Sequence, residues 1–174
     1  CRECGFLRVA EPPSALELAR HYGQERAQGE AYWQEHSRNL EKFGALLARI
    51  ERWGPPGRFL DVGCSIGTSL LAAGRRGWEP AGIELARPAA EYGRSEWGLD
   101  IRTEELARAG FPAERFDLVW LHHTLEHLAA PLETLAEARR VLRPGGRLFL
   151  AVPNHGGLKA LLFGRKWSYG VTFE

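Results

Sequence analysis

The 174-residue sequence contains no methionine and only three cysteines, and its 23 basic and 22 acidic side chains nearly cancel, for a formal net charge of +1. Each lack excludes something. Without methionine, Cys1 is not expected to be where translation began, and the chain reads as a fragment. Without an excess of charge there is no basic field of the kind that draws nucleic acid, and the pairs Arg75-Arg76 and Arg139-Arg140 read as solvated helix faces. No apolar run approaches the roughly twenty residues of a membrane span, and no signal peptide precedes the first helix, which points to a cytoplasmic protein. Internal repeats and low-complexity tracts are missing too. With 44% hydrophobic and 26% charged residues, the composition is that of a soluble globular domain able to bury one good core.

The most informative stretch runs from Arg58 to Thr68, where the apolar strand Phe59-Leu60-Asp61-Val62 enters the turn Gly63-Cys64-Ser65-Ile66-Gly67 and then a helical segment. Gly63 can adopt backbone angles closed to other residues, and Gly67 lets the chain pass close to a ligand. The helix start after Gly67 is expected to aim free N–H groups at that ligand. About twenty residues on, Glu84 ends the run Glu79-Pro80-Ala81-Gly82-Ile83, where a carboxylate at a strand's carboxyl end can accept both hydroxyls of a ribose. An adenosine group fits there. A pyrophosphate does not: the loop lacks three closely spaced glycines, and acidic Asp61 repels phosphate and suits a cation. S-adenosylmethionine carries a sulfonium, an amino group and a ribose, and no phosphate.

At this point the sequence resembles the class I S-adenosylmethionine-dependent methyltransferases. The likeness continues from Leu60–Gly67 through Phe116–Trp120, His123–Leu128 and Leu142–Leu148, four motifs in the family's order over roughly residues 57 to 155. It implies a Rossmann-like, doubly wound α/β fold, a mostly parallel sheet with helices on both faces, whose last two strands form an antiparallel hairpin. Five strands are visible here, and the hairpin is expected to be truncated. The resemblance assigns Asp61, Gly63, Cys64, Ser65 and Gly67 to the loop that holds the methionine and ribose ends of S-adenosylmethionine, and Glu84 to the ribose diol. Leu85 would pack on the adenine, and Glu105 and Leu106 would complete its contacts.

Alternating patterns place strands near 58–62, 80–84, 100–103, 116–121 and 146–152, and helices near 66–76, 87–97 and 132–142. Arg143-Pro144-Gly145-Gly146 reads as a turn. From Pro13 to about Trp53 the pattern is helical, broken near Gly23 and Gly29, and Leu40, Phe43, Leu46, Leu47 and Ile50 form a core-facing stripe. Related enzymes fold this part as a lid, to which Tyr22, Tyr32 and Trp33 would belong. Cys1-Arg2-Glu3-Cys4-Gly5 has the shape of one knuckle of a zinc ribbon, but a complete site needs four ligands and the remaining cysteine, Cys64, belongs to the loop. Three segments are therefore expected: a ribbon remnant over 1–12, a helical lid over 13–53 and a methyltransferase domain over 54–174.

After the fourth strand comes Leu121-His122-His123-Thr124-Leu125-Glu126-His127. Strand ends at the carboxyl edge of a parallel sheet are where ligands bind, so His122 is expected at the cofactor, and His123 is the candidate base for an attacking hydroxyl. His123, Glu126 and His127 also spell an inverted zinc-protease motif with all three on one helical face, to which His155 could add a ligand. No metal is assigned, because a long helix around the motif is lacking. The function expected is transfer of a methyl group from S-adenosylmethionine to a small-molecule acceptor, a sugar or lipid-linked intermediate being the class the ribbon-bearing members suggest. The rivals are a silent cofactor-binding or zinc-ribbon interaction module, and a metalloprotease.

Overall fold

The computed structural model describes residues 29–154 and 156–163. The helix α1 (Gly29–Ile50) leads through a 3-10 turn at Glu51–Trp53 into the alternation β1 (Arg58–Val62), α2 (Thr68–Arg75), β2 (Glu79–Ile83), α3 (Arg87–Trp97) and β3 (Ile101–Arg102). Then follow β4 (Phe116–His122), α4 (Pro131–Val141), β5 (Leu142–Ala151) and a short α5 (Leu158–Phe163). The strands form one sheet in the order β3-β2-β1-β4-β5, and every pair is parallel. The expected Rossmann-like architecture is present. Because the chain builds outward from β1 in one direction and from β4 in the other, a crevice opens between the carboxyl ends of those two strands.

Alternation along the strands sends side chains to two cores. Phe59, Leu118 and Trp120 join Leu47 and Ile50 of α1 and Leu70, Ala72 and Ala73 of α2, with Leu40, Phe43 and Leu46 packed against them. Leu60, Val62, Val119 and Leu121 face the other way, against Ala138 and Val141 of α4 and against Leu106 and Phe111. The stripe read on α1 is therefore what seals the first face. Its end is pinned by Glu51, whose carboxylate accepts from Arg76 Nε at 2.7 Å and Trp78 Nε1 at 3.0 Å.

Helix α3 has the limits read from sequence, and its punctuation explains why. Proline stands in its first turn, and Gly98 ends it at φ 64°, with its N–H donated to the Arg94 carbonyl and that of Leu99 to Gly93. Most other boundaries shift by one or more residues from those read in the sequence. Helix α2 starts at Thr68, not 66, because Ser65 and Gly67 take left-handed angles, φ 51° and 90°. Helix α4 starts at Pro131. The turn at Arg143–Gly146 interrupts a ladder that has already begun: Leu142 pairs with Phe116, and pairing resumes at Leu118 with Arg147. The turn is thus a bulge inside β5, with Gly145 at φ 74°. The N-terminal cysteine pair, Tyr22, His155 and any strand after Phe163 lie outside the described residues, as do the side chains of Tyr32 and Trp33.

Candidate functional site

The crevice is lined by the segments after β1, β2 and β4. Gly63 follows β1 at φ 85°, and a Cβ there would sit 2.6 Å from the Thr124 side chain. The first and third motifs thus touch at a residue that must be glycine. The other close approach was not legible in advance. Gly93, inside α3, lets that helix ride on the loop: a Cβ would lie 2.4 Å from the Ile66 carbonyl oxygen. A mid-helix glycine costs about 1 kcal/mol against alanine, which is the signal that could have singled it out.

The loop's amides are spoken for. Gly63 and Cys64 both donate to the Ile83 carbonyl, at 2.8 and 3.0 Å, Ser65 donates to Glu84 Oε2 at 2.8 Å, and Gly67 donates to the Cys64 carbonyl at 2.9 Å. Gly63, Cys64 and Ser65 thereby hold the loop to β2 and to Glu84 past its end, and Gly67 closes a turn within the loop; the helix-start amides after Gly67, where free N–H groups were expected, are not among these bonds.

What the loop offers is negative charge. Glu84 sits half-buried past the end of β2, its Oε1 accepting the Ala86 N–H at 2.7 Å and its Oε2 the Ser65 N–H. Asp61 is 4% exposed. Ser69 donates its hydroxyl to Asp61 Oδ2, while Oδ1 is a buried acceptor with no partner among the described residues. Burial pushes the Asp61 carboxyl up to about 7; the Ser69 hydrogen bond opposes this and the Glu84 charge adds to it. The Cys64 thiol is pushed well above its ordinary range by burial and then by Asp61 and Glu84. Its side chain packs in the first core, against Gly82, so Cys64 enters the site through its backbone.

Leu85 is exposed beside Glu84, in a position to cover a flat ring. Glu105 is exposed where the 3-10 turn Leu106–Arg108 begins, and Leu106 is buried in the second core. His122 continues the face of Phe59 and Trp120: it stacks on the Trp120 ring (centroids 5.9 Å) and meets the edge of Phe43 of α1 (5.1 Å). Burial, helped by His123 and Lys42, lowers it to about 4, so it is neutral near pH 7. The His123 ring meets the His122 ring edge-on, with centroids 4.5 Å apart. At φ 55° His123 donates its N–H to the Ala151 carbonyl at 2.8 Å, and its Nδ1 shares a hydrogen bond with Glu126 Oε1 at 3.3 Å.

That geometry corrects the helical-face reading of His123, Glu126 and His127. His123 lies in left-handed backbone ahead of a single 3-10 turn, Leu125–His127. Among the described residues no three His, Cys, Asp or Glu side chains gather where they could hold a metal. One contact was missed altogether. His36 of α1 shares a 2.8 Å hydrogen bond with Thr68 Oγ1 at the start of α2 and stacks on Trp97 of α3 (4.7 Å), so α1 is fastened to both helices beside the loop.

Comparison with known proteins shows the family. A family described as a methyltransferase domain matches residues 60–150. The chain is 38% identical over 122 residues to a ubiquinone biosynthesis O-methyltransferase of Hahella chejuensis, covering 65% of this chain and 50% of that one. It is 32% identical over 145 residues to 27-O-demethylrifamycin SV methyltransferase of Amycolatopsis mediterranei, covering 74% and 53%. The chain thus spans about half the length of these curated relatives. Among solved structures it superposes on a SAM-dependent methyltransferase from Archaeoglobus fulgidus with a TM-score of 0.61 at 21% identity, over 77% of this chain and 63% of that one, a likeness of fold. From the glycine loop to the fifth strand, the chain belongs to the methyltransferase-domain family.

Proposed function

We propose that this chain is the S-adenosylmethionine-binding part of a methyltransferase acting on a hydroxyl group of a small molecule. One observation carries the reading: a glycine loop whose amides are taken up by the protein lies between two carboxylates, Asp61 and Glu84. Such a loop repels phosphate and receives a ligand that is cationic at one end and a diol at the other. Asp61 Oδ1, buried and without a partner among the described residues, and the Glu84 carboxylate past the end of β2 fit that ligand.

When bound, S-adenosylmethionine supplies a methyl group on a positively charged sulfur that leaves as a neutral thioether. The residues of this chain supply the rest. Glu84 accepts from the ribose hydroxyls, with Ser65 and Ala86 fixing the carboxylate's orientation. Leu85 covers the adenine and the backbone near Glu105 borders it. Asp61 faces the cationic end behind Gly63 and Gly67. His122, neutral and packed under α1, helps close the crevice. His123 takes the proton from the acceptor hydroxyl, its imidazole oriented by Glu126. Alignment and exclusion of water are worth several kcal/mol or more in such a displacement, and α1, latched through His36, is the element suited to provide them.

The hydroxyl acceptor is supported by the two relatives, named as an O-methyltransferase and as acting on a 27-O-demethyl compound; a sugar or lipid-linked acceptor remains part of the proposal. So do the ribbon remnant over 1–12, the lid over 13–53 and the catalytic domain over 54–174. No helix among the described residues is long and apolar enough to cross a membrane. The test is transfer of a labelled methyl group from S-adenosylmethionine to a panel of phenols, sugars and polyketide alcohols. Transfer to a hydroxyl is expected; cofactor binding with no turnover on any of them would favour a silent binding module.

A further inference from the structure

We propose that Asp61 ties donor binding to the release of a proton: in the ligand-free protein it is held as a neutral acid against Ser69, and it ionises when a positively charged ligand enters the loop. The inference rests on the reading of the site as a cofactor cradle and adds to it a way of telling the donor, with its cationic sulfur, from the spent product, whose sulfur is neutral.

The geometry is that of a carboxyl group built to lack compensation. Asp61 is 4% exposed, so water does not solvate a charge there. Among the described residues its hydrogen-bond partner is the Ser69 hydroxyl, and its second oxygen has none. The ionisable groups that act on it are also of the wrong sign. Glu84, beyond β2, opposes ionisation, and the Cys64 thiol offers no positive charge. From α2 come Ser69 and Thr68, the latter bonded to His36. From β4 come Trp120, at the register position beside Asp61, and His122, which is neutral near pH 7. Among the described side chains of α1, His36 is bonded to Thr68 and the charge of Lys42 acts on His122. A buried carboxyl in this setting ionises near pH 7 rather than near 4. A ligand with an ammonium and a sulfonium would supply the positive charge the protein withholds, and the proton would pass to solvent. Loss of the sulfonium charge at methyl transfer weakens that compensation, so the product is held less tightly and the acid recovers its proton.

The experiment is calorimetric titration of the whole chain with S-adenosylmethionine, no acceptor present, in phosphate and in Tris at matched pH. The difference in heat between buffers counts the protons exchanged. About half a proton should be released per ligand at pH 7, approaching one near pH 6. Affinity should rise about tenfold from pH 6 to pH 8, and less for S-adenosylhomocysteine. Asp61→Asn should bind with the pH dependence and proton exchange of the ligand alone. Infrared difference spectra of the unmutated protein give a second readout: the carbonyl band of a protonated carboxylic acid should be present without ligand and disappear on its addition. Equal proton exchange in wild type and Asp61→Asn, or no acid band in the ligand-free protein, would overturn the proposal while leaving the cofactor reading in place. Absence of any binding heat with either ligand would overturn that reading as well.

Discussion

Replacing Glu84 by alanine perturbs the site in two measurable ways, because the carboxylate serves both the loop and the ligand. Within the protein it accepts two amides, Ser65 at 2.8 Å and Ala86 at 2.7 Å. Hydrogen bonds to a charged group contribute about 1.5–3 kcal/mol each. Ala86 is buried, so its amide would be left without an acceptor, whereas Ser65 is half exposed and water can take over. Part of the loss is offset, since removing the Glu84 charge relieves Asp61. The expected destabilisation is therefore about 2–3 kcal/mol, read as a shift of the urea midpoint at constant slope. For the ligand, loss of the acceptor for two hydroxyls should weaken S-adenosylhomocysteine about tenfold to a hundredfold by calorimetry at a temperature where the variant is folded. Glu84→Gln, which keeps one oxygen but sets an NH₂ against one of the amides, should fall between. A folded Glu84→Ala protein with unchanged affinity would remove Glu84 from the site, and unchanged stability would refute its role in bracing the loop.

Asp61 gives the ligand-free protein a characteristic pH dependence. Its folded-state value is raised to about 7, so between about pH 4 and 7 the folded protein keeps a proton that the unfolded chain has lost. Stability should therefore fall as pH rises through that window, by up to about 4 kcal/mol, and level off above it. Denaturation of Asp61→Asn should lack this decline; a parallel decline in both proteins would refute the assignment. Gly93→Ala should lose about 1–3 kcal/mol in urea melts despite alanine's better helix propensity, because the new Cβ meets the Ile66 carbonyl, and a more stable variant would show that the contact yields. His123→Ala should lower turnover on the true acceptor about a hundredfold while leaving S-adenosylhomocysteine affinity nearly unchanged. A few-fold loss would mean that alignment alone carries the reaction.

The fold was legible wherever local chemistry decides the structure. Helix α3 was read to the residue because proline and glycine mark both its ends, and the spacing of Leu40, Phe43, Leu46, Leu47 and Ile50 marked the face of α1 that packs on the first core. The start of α2 was not, because the extra turn at Ser65 is held by Glu84, nineteen positions away in sequence. Motif position also does not tell a backbone role from a side-chain role: Cys64 and Leu106 stand in the right places, yet their side chains belong to the cores. His122 and His123 are adjacent and alike in sequence and their rings touch, yet with His123 in left-handed backbone His122 packs beneath α1 and His123 bonds to Glu126. The bond between His36 and Thr68 joins two helices and has no signature in either.

The central claim is that this loop holds the cofactor, and the most direct test is to map S-adenosylhomocysteine onto the chain by backbone amide resonances. Saturable one-to-one binding is predicted, with the largest shifts at Gly63–Thr68 and Glu84–Ala86 and smaller ones at His123 and Thr124. Binding that leaves those amides unmoved, or shifts confined to the opposite edge of the sheet around Arg143–Gly146, would contradict it.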